Sequence, residues 1–287
     1  MIDLHTHSTA SDGTLTPEAL VDLAADQGLA AIALTDHDTV EGVPAALARG
    51  ALCGLHVIPG VELSVHWDGS GQMHILGYYL RTDDTRLCER LGWLRDRRRE
   101  RAQRIVEKLR GLGIQISFAR VEGLAGGESI GRPHVARALL EAGAVGSLGE
   151  AFGRFLSPGR PGYESKEELG VEEGIGLVKA SGGAAVLAHP ATLKLNPAAL
   201  AGCLKELKAF GLDGLEAVWS GHSAQQMAQF QALACNLDLL ATGGSDFHGD
   251  NKPEIKLGTG RRNNVQVPDT LLDVLRQHCH KGAAAGA

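Results

Sequence analysis

The chain has 287 residues, 44% hydrophobic and 22% charged, proportions that exclude wholesale disorder and suit one α/β barrel with an insertion. A net charge of −6 excludes a general nucleic-acid coat, so any polyanion needs a local positive site or metal ions. No apolar stretch approaches a membrane span and no basic segment leads into an apolar run at the start. The five cysteines (Cys53, Cys88, Cys203, Cys235, Cys279) stand singly, which fits a reducing cytoplasm and gives no disulfide framework or thiolate zinc site.

Short apolar runs alternate with helical patterns along the chain. IDL at 2–4 precedes a helix opened by Thr16 and Pro17 and closed at Gly28. LAAIALT leads to a helix near 41–53, and then strands at 57–65 and 73–79 follow with no helix between them. Residues 83–160 break the rhythm with a long charged helix at 83–112, a glycine-rich stretch GLAGGES and two shorter helical stretches. The alternation then resumes: helix 168–181, AAVLAHP, helix 197–210, GLEAVWS, helix 223–236 and LDLLATGGSD. Seven strands, most of them continuous apolar runs, predict a parallel β/α barrel, irregular where the helix is missing. The expected organisation is a barrel domain over 1–82 and 161–287 with an inserted helical subdomain over 83–160. Within the insert, RDRRRERAQR carries six arginines against two acids. It reads as a solvated helix face, with a face that steers an anionic substrate as the alternative.

The polar residues at the strand ends carry the chemistry. In DLHTH at 3–7, extended backbone points both imidazoles to one side, which makes half of a metal site. The first strand supplies His5 and His7, followed by Asp12; the second leads to His37 in TDHD. The third ends in GVELS, with Glu62, and the fourth opens with His74. Then come His189 in AHP, His222 in WSGH, and Asp246 and His248 in GGSDFHG. Strand C-termini build the active site of a barrel, and a buried polar group at nearly every one needs a partner. A lone histidine such as that of AHP is more often a satisfied core residue, but the nine other than His222 together point to metal. His, Asp and Glu without Cys suit Mn²⁺, Zn²⁺ or Fe²⁺, and nine ligands suit two or three ions with Glu62 as a bridge.

The order HxH, SDG, TDHD, GVE, HILGY, AHP and GSDFHG resembles the PHP (polymerase and histidinol phosphatase) family of metal-dependent phosphoesterases, over residues 1–80 and about 160–260. The resemblance implies an α/β fold, a distorted (β/α)7 barrel with a trinuclear site. It places His5, His7, Glu62 and Asp246 on the first metal, Glu62, His74 and His189 on the second, and Asp12, His37 and His248 on the third. Histidinol phosphatases of this family often have His where this chain has Asp12. GRPHVARAL, FGRFLSPGRPGY and KEELGVEEGI resemble the subgroup that dephosphorylates 3′,5′-nucleoside bisphosphates, some of whose members also trim short RNA from the 5′ end.

Arg132 and His134 bracket Pro133 at a loop-to-helix junction, a candidate phosphate clamp beside a helix N-terminus. The alternative is a helix-start proline between solvated residues. His222 reads equally as a phosphate ligand, a proton donor or a loop residue. The expected reaction releases the 3′-phosphate of a 3′,5′-nucleoside bisphosphate, such as pAp to AMP and phosphate. Hydroxide bridging the first two metals, most readily Mn²⁺, attacks phosphorus; Glu62 bridges and Asp246 assists with the proton. A 5′→3′ exonuclease on short RNA, a histidinol-phosphate or sugar-phosphate phosphatase, and a silent binding module are the alternatives. A small nucleotide partner is expected, with no membrane and no obligate protein partner.

Overall fold

The computed structural model describes residues 1–68, 72–126 and 129–285. Gly127 and Glu128 of the glycine-rich stretch lie outside the described residues. The chain begins β1 (Ile2–Thr6), α1 (Pro17–Asp26), β2 (Ala31–Leu34), α2 (Val43–Cys53), β3 (His56–His66), β4 (Met73–Tyr78). It continues through α3 (Thr85–Gly111), α4 (Phe118–Ala125), α5 (Arg132–Glu141) and α6 (Leu148–Ala151), the last prolonged by a π-turn. A two-residue β5 (Leu169–Gly170) leads into α7 (Val171–Ala180), β6 (Ala184–Leu187), α8 (Pro197–Ala209), β7 (Gly214–Trp219), α9 (Ala224–Asn236) and β8 (Leu240–Gly244). A small hairpin, β9 (Ile255–Lys256) with β10 (Gly260–Arg261), precedes α10 (Thr270–Ala285). The sequence reading did not foresee β5, this hairpin or α10. Thr16, Asn196 and Ser223 cap their helices through side-chain oxygens, as such residues do at N-termini. Among the described residues no helix is long and apolar enough to cross a membrane.

The seven main strands are ordered β1-β2-β3-β4-β6-β7-β8. The sheet curls round until Asp246 N–H donates to His5 O (2.9 Å) and His7 N–H to Phe247 O (3.0 Å), nearly closing a barrel. One expectation is corrected: β4 runs antiparallel to both β3 and β6. With no crossover helix, β3 and β4 can pair only as a hairpin. The reversal puts the start of β4, and so His74, at the rim where the parallel strands end. β3 runs on past Glu62 to His66, within a residue of each expected bound.

A register slip in β1 aims the first two histidines. Ile2 pairs with Ala31 but Thr6 with Leu34, so β1 carries one extra residue. That bulge swaps the strand's faces. Ile2 and Leu4 therefore join the apolar floor with Ala31, Ile58, Leu76, Tyr78, Val186 and Leu275, while His5 and His7 turn into the mouth above it. The main core lies between sheet and helices. A separate apolar cluster, including Ile105, Leu109, Val121, Val135, Leu139 and Leu156, falls within residues 102–156; on this we base the proposal of a distinct helical unit over 83–160.

Candidate metal centre

The nine candidate ligands meet at the mouth of the barrel, none of their side chains more than 15% exposed. Glu62 is the hub. Its Oε2 lies 3.2 Å from His5 Nε2, 3.2 Å from His7 Nε2 and 3.1 Å from His37 Nδ1. Its Oε1 lies 2.6 Å from His74 Nδ1 and 2.8 Å from His189 Nε2. The two oxygens face two different sets of imidazoles, the arrangement expected of a bridging carboxylate. Donor atoms within 4.8 Å of one another form the groups His7–Asp12–His37–His248, His5–His7–Asp246 and His37–Glu62–His74. His7 and His37 thus each stand between two groups, which the motif resemblance did not anticipate.

The donors fit divalent cations. Among the described residues, His7 Nδ1 and Nε2, His37 Nδ1 and His74 Nε2 are buried without a hydrogen-bond partner, an arrangement that is costly unless something else satisfies them. Tautomers are set from behind. His5 Nδ1–H donates to Glu216 Oε1 (2.9 Å) and His248 Nδ1–H to the Asp246 carbonyl (2.9 Å), leaving each Nε2 lone pair for the centre. Burial works against ionising the acids, but the surrounding charges prevail. His37, His74 and His5 hold Glu62 well below the usual carboxylate range, and His248 and His37 do the same for Asp12. Burial also pulls on His7, but Asp246 and Glu62 bring it up to about 9, so a cation must displace its proton.

The surrounding acids position the ligands rather than join them. Asp36 accepts from Ser8 N–H (2.7 Å), Ser8 Oγ (2.6 Å) and Ser11 Oγ (2.6 Å), pinning the loop that carries Asp12. Asp3 accepts from Ser245 N–H (2.8 Å), Ser245 Oγ (2.5 Å) and Gly258 N–H (2.8 Å), pinning the loop before Asp246. Glu216, fully buried, holds His5 and also accepts from His189 N–H (2.8 Å). Asp38, His189 and Asp246 all have left-handed backbone, with φ of 54°, 29° and 59°, strain of the kind found at functional sites. Gly244 is required because a Cβ there would collide with His5.

The three expected substrate contacts fare differently. His134 is 2% exposed and caps its own helix: Nδ1 accepts from Gly131 N–H at 2.9 Å. His222 is 3% exposed, donates from Nδ1 to Ala217 O (3.1 Å) and lies edge-on between Trp219 and Phe230. Its Nε2 has no hydrogen-bond partner among the described residues. Arg132 points to a cationic cluster that sequence reading missed. Arg98 donates from Nε to Asp38 (2.6 Å) and from Nη2 to Ser64 (3.2 Å), and Lys166 also bonds Ser64. Burial, reinforced by Arg132 and Arg98, lowers Arg101 to about 10, and burial with Arg98 beside it lowers Lys166 to about 8. The arginine run of α3 thus divides. Arg97, Arg99 and Arg104 form outward ion pairs, whereas Arg98 and Arg101 turn inward.

The comparisons agree with this geometry. The PHP domain family matches residues 3–148. The 5′-3′ exoribonuclease Rnm of Escherichia coli is 37% identical over 259 residues, covering 89% of this chain and 87% of its own. The 3′,5′-nucleoside bisphosphate phosphatase of Chromobacterium violaceum is also 37% identical, over 248 residues, covering 86% and 87%. A sulfate-bound, metal-free crystal structure of an amidohydrolase from Chromobacterium violaceum superposes with a TM-score of 0.84 at 33% identity, covering 96% of each chain. One described as a candidate metal-dependent phosphoesterase of Bifidobacterium adolescentis gives 0.85 at 31%, covering 96% and 94%. Strand order, ligand cluster and relatives converge, and the chain belongs to the PHP family of metal-dependent phosphoesterases.

Proposed function

We propose that this phosphoesterase releases the 3′-phosphate of 3′,5′-nucleoside bisphosphates, using two or three divalent ions, foremost Mn²⁺. The supporting observation is the cationic cluster where the insert meets the barrel. Arg98, Arg101, Arg132 and Lys166 gather there against the carboxylates of Asp38 and Glu168. Arg98 and Lys166 converge on Ser64, two residues beyond Glu62 on one face of β3 and so about 7 Å from it, while Arg101 bonds the Glu164 carbonyl and Arg132 the Leu156 carbonyl (3.3 Å). A nucleoside with two phosphates has one ribose between them, and two anion seats at that order of spacing would suit it.

His5, His7, Glu62 and Asp246, then Glu62, His74 and His189, then Asp12, His37 and His248 would hold the ions. Bound there, divalent ions supply Lewis acidity and neutralise charge on the phosphoryl group. The chain's own residues position the substrate. Arg132 and Lys166 hold the phosphate that is not cleaved, which fixes the other at the ligand cluster. Asp246 Oδ2 accepts from Trp219 Nε1–H (3.2 Å) and Lys252 Nζ–H (2.8 Å). Against burial, Lys252, His248, His5 and His7 hold it well below the usual carboxylate range, which favours a ligand role over carrying the proton.

Short RNA trimmed from its 5′ end is the second reading. The exoribonuclease relatives support it equally, because a 5′-phosphorylated strand would use the same two seats. The deciding experiment compares pAp, 5′-phosphorylated oligoribonucleotides and an aryl phosphate, in parent and Arg132→Ala. The bisphosphate reading expects pAp to be the best substrate. It also expects Arg132→Ala to lose about 1.5–3 kcal/mol, or roughly 10- to 150-fold in kcat/KM, on pAp and little on the aryl ester. Preference for the oligonucleotide would establish the second reading, and equal losses on both monoesters would refute the clamp.

A further inference from the structure

Lys252 stands at the rim of the ligand cluster, outside every motif singled out in the sequence. Its loop is fastened to the loop that carries Asp12. Asp250 N–H donates to Thr14 Oγ1 (2.9 Å), and the Asn251 side-chain amide donates to the Asp12 carbonyl (2.7 Å). This fastening delivers the ammonium to Asp246, where Nζ–H donates to Oδ2 at 2.8 Å. The two oxygens of Asp246 are differently employed. Oδ1 lies 3.3 Å from His248 Nδ1, 3.4 Å from His7 Nε2 and 3.7 Å from His5 Nε2, facing the cluster. Oδ2 faces away from it and also accepts the indole N–H of Trp219 at 3.2 Å.

The lysine pair is therefore dispensable to Asp246, because Trp219 alone leaves Oδ2 satisfied. It is also reversible: the Lys252 side chain is 38% exposed and ends a flexible four-carbon stem. A divalent ion on the Oδ1 side would add two positive charges within a few ångströms of the ammonium. That repulsion exceeds what a half-exposed ion pair contributes. The lysine then turns to another anion; Asp12 and Glu62 also face it, but both would be engaged as ligands, which leaves a phosphate ester in the cluster.

We propose that Lys252 is a mobile cation that leaves Asp246 when divalent ions bind and donates a charge-assisted hydrogen bond to a non-bridging oxygen of the scissile phosphoryl group. This rests on the phosphoesterase chemistry and not on which ester is the substrate. It lies apart from the Arg98–Lys166 cluster, which would hold the phosphate that is not cleaved.

Three measurements on Lys252→Met and Lys252→Arg test it: Mn²⁺ titration, calorimetric binding of inorganic phosphate to the Mn²⁺-loaded protein, and kcat/KM on pAp and an aryl phosphate. The Met variant is expected to bind Mn²⁺ at least as tightly as the parent, since a nearby positive charge is gone. Its phosphate affinity is expected to fall about tenfold or more, with a similar fall in kcat/KM on both esters. Lys252→Arg restores phosphate affinity to within about threefold. Mn²⁺ binding weakened more than about threefold in the Met variant would make Lys252 an anchor for Asp246 and overturn the proposal. Unchanged phosphate affinity would overturn it as well. Failure of the bisphosphate reading would appear separately, as a parent enzyme inactive on pAp, and leaves the phosphate titration intact.

Discussion

Glu216→Gln isolates a buried carboxylate that supports the centre from behind. Its two oxygens receive two different donors, His5 Nδ1–H at 2.9 Å and His189 N–H at 2.8 Å. Glutamine has the same shape but only one acceptor oxygen. If the new NH₂ faces the His189 amide, two donors oppose each other in a site with no exposure. If it faces His5, the imidazole must move its proton to Nε2, the atom that faces Glu62, and its lone pair is lost to the cation. Either orientation costs a charge-assisted hydrogen bond, about 1.5–3 kcal/mol. Removing the carboxylate behind a metal-binding histidine lowers metal affinity roughly 10- to 100-fold, or about 1.4–2.7 kcal/mol. The two routes agree. The assay is Mn²⁺ titration against a competing chelator, paired with thermal denaturation with and without Mn²⁺. Weaker binding lowers metal-linked stabilisation by the same free energy, so the Mn²⁺-induced rise in Tm should shrink by several degrees. A Kd within about threefold of the parent with an undiminished Tm shift would refute the supporting role.

Glu62→Gln should lose at least about 100-fold in kcat, more than any variant at Asp12 or His248, because both of its oxygens serve ligand groups; activity within tenfold of the parent contradicts the bridge. Arg98→Met leaves Asp38 charged and buried without its partner, and is expected to lower stability by about 3–5 kcal/mol in chemical denaturation. Adding Asp38→Asn should recover part of it, and strict additivity would show that the pair is not coupled. Lys166, lowered to about 8, is charged below that pH and neutral above it. KM for a bisphosphate is therefore expected to rise as pH passes through about 8, and Lys166→Arg to flatten that rise; a KM profile identical in both proteins would refute it. Exhaustive chelation should abolish turnover, with Mn²⁺ restoring it; activity that survives chelation contradicts the metal requirement.

The site was legible wherever a polar residue interrupts an apolar run, because nothing but a partner at the strand end excuses its burial. The reversed β4 was half legible: the missing helix was visible, but the direction that follows from it was not drawn. Glu216 was hidden because GLEAVWS reads as one strand and a single acid within it looks incidental. Arg98 and Arg101 were hidden by their neighbours, since six arginines in ten residues look solvated. The signal was periodicity. Leu87, Leu91, Leu94, Arg98, Arg101, Ile105 and Leu109 form one buried stripe, and charges on an apolar stripe must be neutralised by something. Lys252 left no trace, because its placement depends on how the loop after β8 folds back onto Thr14 and Asp12.

The bonds that join His5 and His7 to Asp246 and Phe247 also have a consequence in time. Six candidate ligands lie within the first 74 residues and three after residue 188. At roughly 5–20 residues per second, synthesis separates His74 from Asp246 by about 10–35 s. During that interval the insert can gather its own locally connected apolar core, whereas β1 still waits for β8, a long-range pairing that forms slowly. An emerging chain thus carries an unclosed fan of imidazoles and carboxylates able to take whichever ion binds such groups most strongly. Only the finished ring, with Glu62 shared and Asp246 seated, imposes a geometry, so the choice of metal in the mature protein is expected to be made at closure, in the last seconds of its assembly.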